Sequence, residues 1–242
     1  GRNGESPAVV IAASTPADCF HYAFMASKIA LEHMTPVILL TDAFIGNGTS
    51  LWKLPKLAEL PEIKPNFAQP GMEGLNVTAR NEETKARYWS VPGIEGFNHR
   101  NGGLEKDYNS GSISTDPANH QKMVDTRQAK VDYISNVIPE LVVEGDASAD
   151  LLVIGWGTTH GHLMTAVNSL NKKGKKVALA HFNYINPLPK NTEEVIKKFK
   201  KVIVCELNNG QFATYLRSKV PGEYLQYNKV QEIVRASCRE RV

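Results

Sequence analysis

LLVIGWG (151–157), VALAHFNY (177–184) and VIVCEL (202–207) are three short apolar runs rich in β-branched residues. Runs that stay apolar on both alternations suit strands buried on both faces. Helical stretches follow each of them, at about 161–172, at about 192–199 and from Gly210 to Lys219, and Gly174 stops the first. Three strands alternating with three helices within about 70 residues predict a parallel α/β sheet.

The N-terminal end has the same grammar. AVVIAA (8–13) reads as a buried strand, and Ser14-Thr15-Pro16-Ala17-Asp18 supplies a hydroxyl cap, a first-turn proline and a first-turn acid. A helix from about Pro16 to His33 follows, with Phe20, Phe24, Ile29 and Leu31 among its expected buried positions. Thr35-Pro36 ends it, and VILLT (37–41) is a second buried strand, making one βαβ unit with a right-handed crossover. Residues 42 to about 115 break every period with prolines and glycines, although Tyr88, Trp89, Ile94 and Phe97 predict packing. Asp116-Pro117 then opens a helix with Met123, Val124, Ala129, Val131, Ile134, Val137 and Ile138 on its apolar side, and Pro139 stops it.

Composition bounds the function. The chain has 242 residues, 42% hydrophobic and 22% charged, which suits a globular protein and not a disordered one. No apolar run reaches the ~18 residues of a membrane helix, so no membrane role is expected. A net charge of +3, from 28 basic and 25 acidic residues, gives no support for nucleic-acid binding. Cys19, Cys205 and Cys238 are too far apart for any CxxC pair, which argues against a cysteine-held metal or cluster on this chain and fits a reducing, cytoplasmic setting.

Four motifs could carry chemistry. Gly155-Trp156-Gly157-Thr158-Thr159-His160-Gly161 sits at a strand-to-helix turn, where glycines let a helix N-terminus approach a phosphate. Its spacing is GxGxxxG and not GxGxxG, so a tight turn without ligand is the plainer reading. His160 and His162 could bind a metal or merely cap the turn. Cys205-Glu206-Leu207-Asn208-Asn209-Gly210-Gln211 leaves the third strand at its carboxyl end, where ligands tend to sit, with Asn209 as a natural helix cap. The lysine runs at 172–176 and 197–201 suit helix C-termini better than a polyanion site. Gly102-Gly103-Leu104-Glu105-Lys106-Asp107-Tyr108-Asn109-Ser110-Gly111 offers two acids and a lysine between glycine hinges. It reads equally as a solvated loop or as a contact for a charged substrate or a metal, and no residue is assigned as a metal ligand.

Taken in order, GRNGESP, TPADCF, TPVILLTD, GGLEKDYNSGSISTDPANHQKMVDTRQAKV (102–131), GWGTTHG, NPLP and ELNNGQ resemble the C-terminal portion of the α subunit of 2-oxoacid:ferredoxin oxidoreductases, most closely the 2-oxoglutarate type. The resemblance covers residues 1 to about 230; the family often has His where Lys106 stands, so no imidazole role carries over there. It implies the end of a thiamine-diphosphate pyrimidine-binding module over 1–60 and a structured linker with the acidic loop and a helix over 61–145. A transketolase C-terminal-like, three-layer parallel-sheet module would fill 146–230.

The implied reaction is oxidative decarboxylation of 2-oxoglutarate, or another 2-oxoacid, to succinyl-CoA or the matching acyl-CoA, with electrons passed to ferredoxin. Thiamine diphosphate pyrophosphate, Mg²⁺ and a [4Fe–4S] cluster are implied on a partner β subunit, and coenzyme A is the co-substrate. The best-known catalytic residues would lie upstream of Gly1. Asp107 and Glu105 are the candidates for substrate or coenzyme contact, and Arg2, Asn209 and Gln211 for interface or ligand-end contact. A segment of another transketolase-type thiamine enzyme, or a non-catalytic nucleotide-binding module using Gly155–Gly161, are the alternatives.

The start at GRNGESP, with no initiator methionine, and the arginine-rich EIVRASCRERV end lead to the expectation of a fragment with a non-native tail over 231–242. A chain ending at Val230 should then melt within about two degrees of the 242-residue chain, because surface changes usually stay within ~0.5 kcal/mol. A loss of several degrees in a thermal melt would show that the tail packs.

Overall fold

The computed structural model describes residues 5–100, 102–146 and 148–230; the expectations placed on Arg2 and on the 231–242 tail lie outside the described residues. In chain order the strands are β1 (Val9–Ala12), β2 (Val37–Leu40), β3 (Val143–Gly145), β4 (Leu151–Trp156), β5 (Val177–Phe182), β6 (Tyr184–Asn186), β7 (Lys201–Glu206) and β8 (Leu225–Asn228). The helices are α1 (Asp18–His33), α2 (Ala43–Asn47), α3 (Pro117–Tyr133), α4 (His160–Lys172), α5 (Thr192–Lys197) and α6 (Gln211–Lys219). The described chain divides into two units: one of residues 5–9, 24–38 and 54–137, the other of residues 10–23, 39–53 and 138–230.

The second unit is built on β4. Its neighbours β5 and β7 run parallel to it, β8 runs parallel to β7, and the sheet order is β3-β5-β4-β7-β8. The three strands read from sequence are therefore the centre of this sheet. The expectation of a wholly parallel sheet needs one correction, because β3 closes the β5 edge antiparallel. A three-residue edge strand entered directly from the preceding chain needs no crossover helix, so it is free to run that way.

Alternation along the strands assigns the helices to layers. Leu152 and Ile154 of β4, Ala178, Ala180 and Phe182 of β5, and Val202 and Val204 of β7 share one face with Val195, Ile196, Phe212, Ala213 and Leu216 of α5 and α6. The intervening Val153, Val177 and Leu179 pack on the other face against Val167 of α4, with Leu163 and Met164 beside them. Burial on both faces is why these strands carry no polar alternation. Leu152, Ile154, Leu179 and Leu216 are fully buried, and truncating any of them to Ala costs ~2–5 kcal/mol.

Glycines mark where backbone elements close on one another. A Cβ on Gly155 would sit 2.3 Å from Leu163 Cδ1 and 2.8 Å from Thr159 Oγ1. That glycine lets α4 and the turn before it lie directly on β4. Gly210, at φ +85°, turns the chain from β7 into α6 with Gln226 Oε1 at 2.5 Å and Asn228 Nδ2 at 2.6 Å from where its Cβ would be.

A small second sheet has the order β2-β1-β6. Residues Val10 and Ile11 of β1 pair antiparallel with Asn186 and Tyr184 of β6. VALAHFNY thus splits into two strands in different sheets. VILLT is half-buried and not fully buried, with Ile38 43% exposed, because β2 is an edge strand. On α1, Ile29 is buried as expected, whereas Phe20 and Leu31 are exposed among the described residues, and Phe20 leans on Trp52 at a ring separation of 5.2 Å.

The first unit holds the aperiodic stretch, and polar side chains order it. Asn76 Oδ1 accepts from Thr78 N (2.8 Å) and Thr78 Oγ1 (2.7 Å), and its Nδ2 donates to Asn109 O (2.8 Å). Thr78, 2% exposed, shares its hydroxyl proton between Asn76 Oδ1 and Tyr108 O, the latter at 3.1 Å. Asp116 caps α3 as expected, by accepting from Ala118 N, and Val131, Ile134 and Ile138 are buried while Val137 stays outside.

Gly210→Ala should destabilise the chain by ~1–3 kcal/mol, combining left-handed backbone strain with two collisions. Gly174→Ala, at φ +75° with nothing within 4 Å of its Cβ position, should incur only the backbone part, ~1 kcal/mol. Equal losses in urea titrations of the two variants would mean that the Gly210 contacts relax without cost.

Candidate functional site

The carboxyl ends of β4 and β7 form one wall of a cavity of about 390 Å³, lined by Trp156, Gly157, Thr158, Asn208, Gln211 and Asp42 among others. Carboxyl ends of parallel strands are where ligands sit in such sheets, because the loops diverge there. The wall is held by Glu206. Its carboxylate, 2% exposed, accepts from Phe212 N (2.9 Å), Ala213 N (2.8 Å) and Trp156 Nε1 (3.1 Å). Asn208 Oδ1 accepts from Gly210 N (2.7 Å) and Gln211 N (3.1 Å). The first turn of α6 is therefore satisfied by Glu206 and Asn208. The capping role read for Asn209 passes to Asn208, one residue earlier, because Gly210 reverses the backbone and aims Asn208 at the helix.

Asp42 faces them. Its Oδ1 accepts from Phe44 N (3.0 Å) and Ile45 N (3.2 Å), capping α2, and its Oδ2 accepts a short hydrogen bond from Thr158 Oγ1. Gln211 lines the cavity and is exposed, and Asn209 is exposed on the same turn. The lining carries no lysine or arginine. A diphosphate with its Mg²⁺ does not fit that donor set, and among the described residues no three His, Cys, Asp or Glu side chains converge as a metal site. His160 and His162 do not converge: His160 Nε2 lies 3.1 Å from Glu144 Oε1, and the His162 ring rests near Phe44.

In the run at 197–201, which follows α5, Lys197 pairs with Glu193, Lys198 with Glu194 and Lys200 with Asp150; in the run that ends α4, Lys176 Nζ donates to Ser148 Oγ (3.1 Å). Cys19 and Cys205 are half-buried and not fully buried. Burial, reinforced by Glu206, pushes the Cys205 thiol up to about 11.

The acidic loop is clamped at both ends. Asn119, on the first turn of α3, accepts from Tyr108 N (2.9 Å) and donates to Lys106 O (3.0 Å). Lys106 is buried and donates to Leu104 O (2.5 Å) and Gly102 O (3.1 Å). Glu105 Oε2 lies 2.5 Å from His120 Nδ1, and its Oε1 lies 3.4 Å from Arg127 Nη1. Asp107 Oδ1 accepts from Ser110 N (2.7 Å), Ser110 Oγ (2.9 Å) and Asn109 N (3.0 Å), and these bonds hold its carboxyl below the usual range. The loop borders a cavity of about 500 Å³ with Asn76, His99, Gly103, Ser110 and Ser112 on its walls.

One group escaped the sequence reading. His181 Nε2 lies 2.9 Å from Ser14 Oγ, which accepts a 2.6 Å hydrogen bond from Asn183 Nδ2. Asn183 also donates to Ala12 O (2.9 Å), and its own carbonyl accepts from Ala12 N (2.7 Å). These residues border a cavity of about 420 Å³ with Asp18, Tyr22 and Glu144. Burial first, then the neighbouring His160, lowers His181 from its ordinary 6.5 to about 3. The signal available in sequence was a single histidine inside the apolar run VALAHF.

A base whose folded pKa lies below its unfolded value binds fewer protons folded than unfolded between the two. His181 thus contributes stability that is complete above pH 6.5 and lost as pH falls from 6.5 toward about 3. Relative to His181→Gln, the wild-type chain should lose more unfolding free energy between pH 7 and about 4. Parallel pH profiles in urea titrations would show that the imidazole is charged in the fold.

The family described as "Pyruvate flavodoxin/ferredoxin oxidoreductase, thiamine diP-bdg" matches residues 2–116, and "Pyruvate:ferredoxin oxidoreductase core domain II" matches residues 149–240. The chain is 46% identical over 96% of its length to 2-oxoglutarate oxidoreductase subunit KorA of Mycobacterium tuberculosis, of which it covers 35%. It is 28% identical over 85% of its length to 2-oxoacid:ferredoxin oxidoreductase 1, subunit alpha, of Aeropyrum pernix, of which it covers 33%. The chain thus spans about a third of the length of these curated relatives. A solved 2-oxoglutarate:ferredoxin oxidoreductase from Magnetococcus marinus, with 2-oxoglutarate, coenzyme A and succinyl-CoA bound, shares the fold at a TM-score of 0.84 and 24% identity, covering 98% of this chain and 43% of that one. Two family matches in the right order, on the α/β scaffold expected of them, place this chain in the family of 2-oxoacid:ferredoxin oxidoreductase α subunits.

Proposed function

We propose that this chain is part of the α subunit of an enzyme that oxidatively decarboxylates 2-oxoglutarate to succinyl-CoA and passes the electrons to ferredoxin. The observation that carries the reading is the 46% identity, sustained over 96% of the chain, to a subunit named for 2-oxoglutarate oxidation. The partners on this reading are a β subunit, ferredoxin, the 2-oxoacid and coenzyme A. Thiamine diphosphate, when bound, supplies the electron sink for decarboxylation. The strand-end cavity of this chain carries no lysine or arginine; on this reading the diphosphate, its Mg²⁺ and a [4Fe–4S] cluster belong to the β subunit.

What this chain would contribute is shape and polarity. The Glu206 and Asn208 bonds fix α6 so that Gln211 and Asn209 stand at the strand ends. Domain limits at about residues 60 and 145 remain part of the proposal. Glu105, through His120 and Arg127, and Lys106, through two carbonyls, hold the acidic loop in one form. Asp107 would then present its charge from a fixed turn to substrate or coenzyme.

Reconstitution of the whole α subunit with its β subunit tests the reading, by 2-oxoglutarate- and CoA-dependent reduction of a viologen. Asp107→Asn keeps an oxygen for the three loop bonds and removes only the charge, so kcat/KM should fall about tenfold or more with Tm unmoved. Wild-type kinetics in that variant would make the loop a frame and not a contact. The present chain alone should bind no iron and show no 2-oxoacid-dependent reduction; stoichiometric iron in it would contradict the assignment. Micromolar binding of an adenine nucleotide to the isolated chain would favour the nucleotide-module reading of Gly155–Gly161 instead.

A further inference from the structure

Among the described residues one carboxylate, Glu206, and one ammonium, Lys106, are buried. Glu206 receives three donors, as its charge demands. Lys106, 9% exposed, receives no anion. Its Nζ donates to Leu104 O (2.5 Å) and Gly102 O (3.1 Å), and the third of its N–H groups is left over. Carbonyls fix an ammonium in place without cancelling its charge, and a buried charge with no counter-charge is costly.

The backbone sends the neighbouring acids away from it. Lys106 stands opposite Ile113 in an isolated antiparallel bridge, so these two side chains share one side. Side chains alternate along extended backbone, and Glu105 and Asp107 leave on the other. Glu105 goes to His120 and Arg127 of α3, and Asp107 to Ser110 and Asn109. On the Lys106 side lies the cavity of about 500 Å³. Its walls include Lys106, the Gly102 and Leu104 that hold it, Val77, Ile113 and Arg100, with no Asp or Glu. Leu104 and Ile113 are exposed aliphatic side chains there, and Arg100 is an exposed guanidinium.

We propose that this cavity binds a short aliphatic dicarboxylate. One carboxylate takes the spare N–H of Lys106, the methylenes cover Val77, Leu104 and Ile113, and the second carboxylate meets the fork of Arg100. A phosphate is the poorer match, because its extra oxygens need donors that the loop has already spent. Ser110 N goes to the Asp107 carboxylate, Gly111 N to Asp107 O and Ser112 N to Ser110 Oγ. The inference is independent of the reaction proposed above.

Calorimetric titration of the whole chain with glutarate, at ionic strength held constant with chloride, tests it. Glutarate has no oxo group to be decarboxylated, so the titration reads the cavity and not turnover. Saturable millimolar binding is expected, about threefold or more tighter than that of butyrate, which lacks the second carboxylate. Arg100→Gln, at an exposed position, should bring glutarate down to the affinity of butyrate. Lys106→Met should weaken both acids about tenfold or more. Lys197→Gln/Lys198→Gln, which removes two exposed lysines with their own carboxylate partners, should bind as the wild type does. Equal affinity of the wild type for the two acids, or no saturation with glutarate by about 50 mM, overturns the proposal. So does wild-type binding by Arg100→Gln or by a folded Lys106→Met. If Lys106→Met does not fold, the wild type and Arg100→Gln decide alone.

Discussion

A single buried carboxylate organises the C-terminal unit. Glu206 ends β7, and its two oxygens take the first free amides of α6 and the indole N–H of Trp156 at the end of β4. A charge with 2% exposure is tolerable only when fully hydrogen-bonded, and these three donors, two of them at the positive end of a helix, meet that demand. The consequence is geometric. The ends of two neighbouring parallel strands and the start of the next helix cannot drift apart without stranding a charge, so the cavity they border keeps its shape.

The same logic, with neutral groups, orders the first unit. Its long stretch between β2 and α3 has few ladders to satisfy backbone polar groups, so side chains do so from a distance. Asn119 holds both Lys106 and Tyr108, Asn76 holds Asn109, and Thr78 holds Tyr108. An aperiodic segment can in this way be as determined as a strand.

That contrast explains what could be read from the amino acids. Strands β4, β5 and β7 and helices α3, α4 and α6 are visible because a buried strand and a capped helix each leave a local signature within a dozen residues. The edge strand β3 and the transfer of Tyr184–Asn186 to a second sheet leave none, since each depends on what lies beside it in space. Phe20, Leu31 and Ile38 were misplaced for a related reason: apolar residues in a βαβ pattern read as core whether or not this chain covers them. The site divides in the same way. The Cys205–Gln211 turn and the Gly102–Gly111 loop stood out by composition. His181, Ser14 and Asn183, joined across most of the chain, could not.

The grip of Asn183 on Ala12 also constrains the order of assembly. Its side-chain bond to the Ala12 carbonyl spans 171 positions. Closing so long a loop is entropically uphill until other contacts have brought the ends together. During synthesis, β1 leaves the ribosome long before its partner β6 exists. The pairing of Val10 and Ile11 with Asn186 and Tyr184 therefore forms only after every strand of the five-stranded sheet but β7 and β8 has been made, and until then β1 has only β2 beside it.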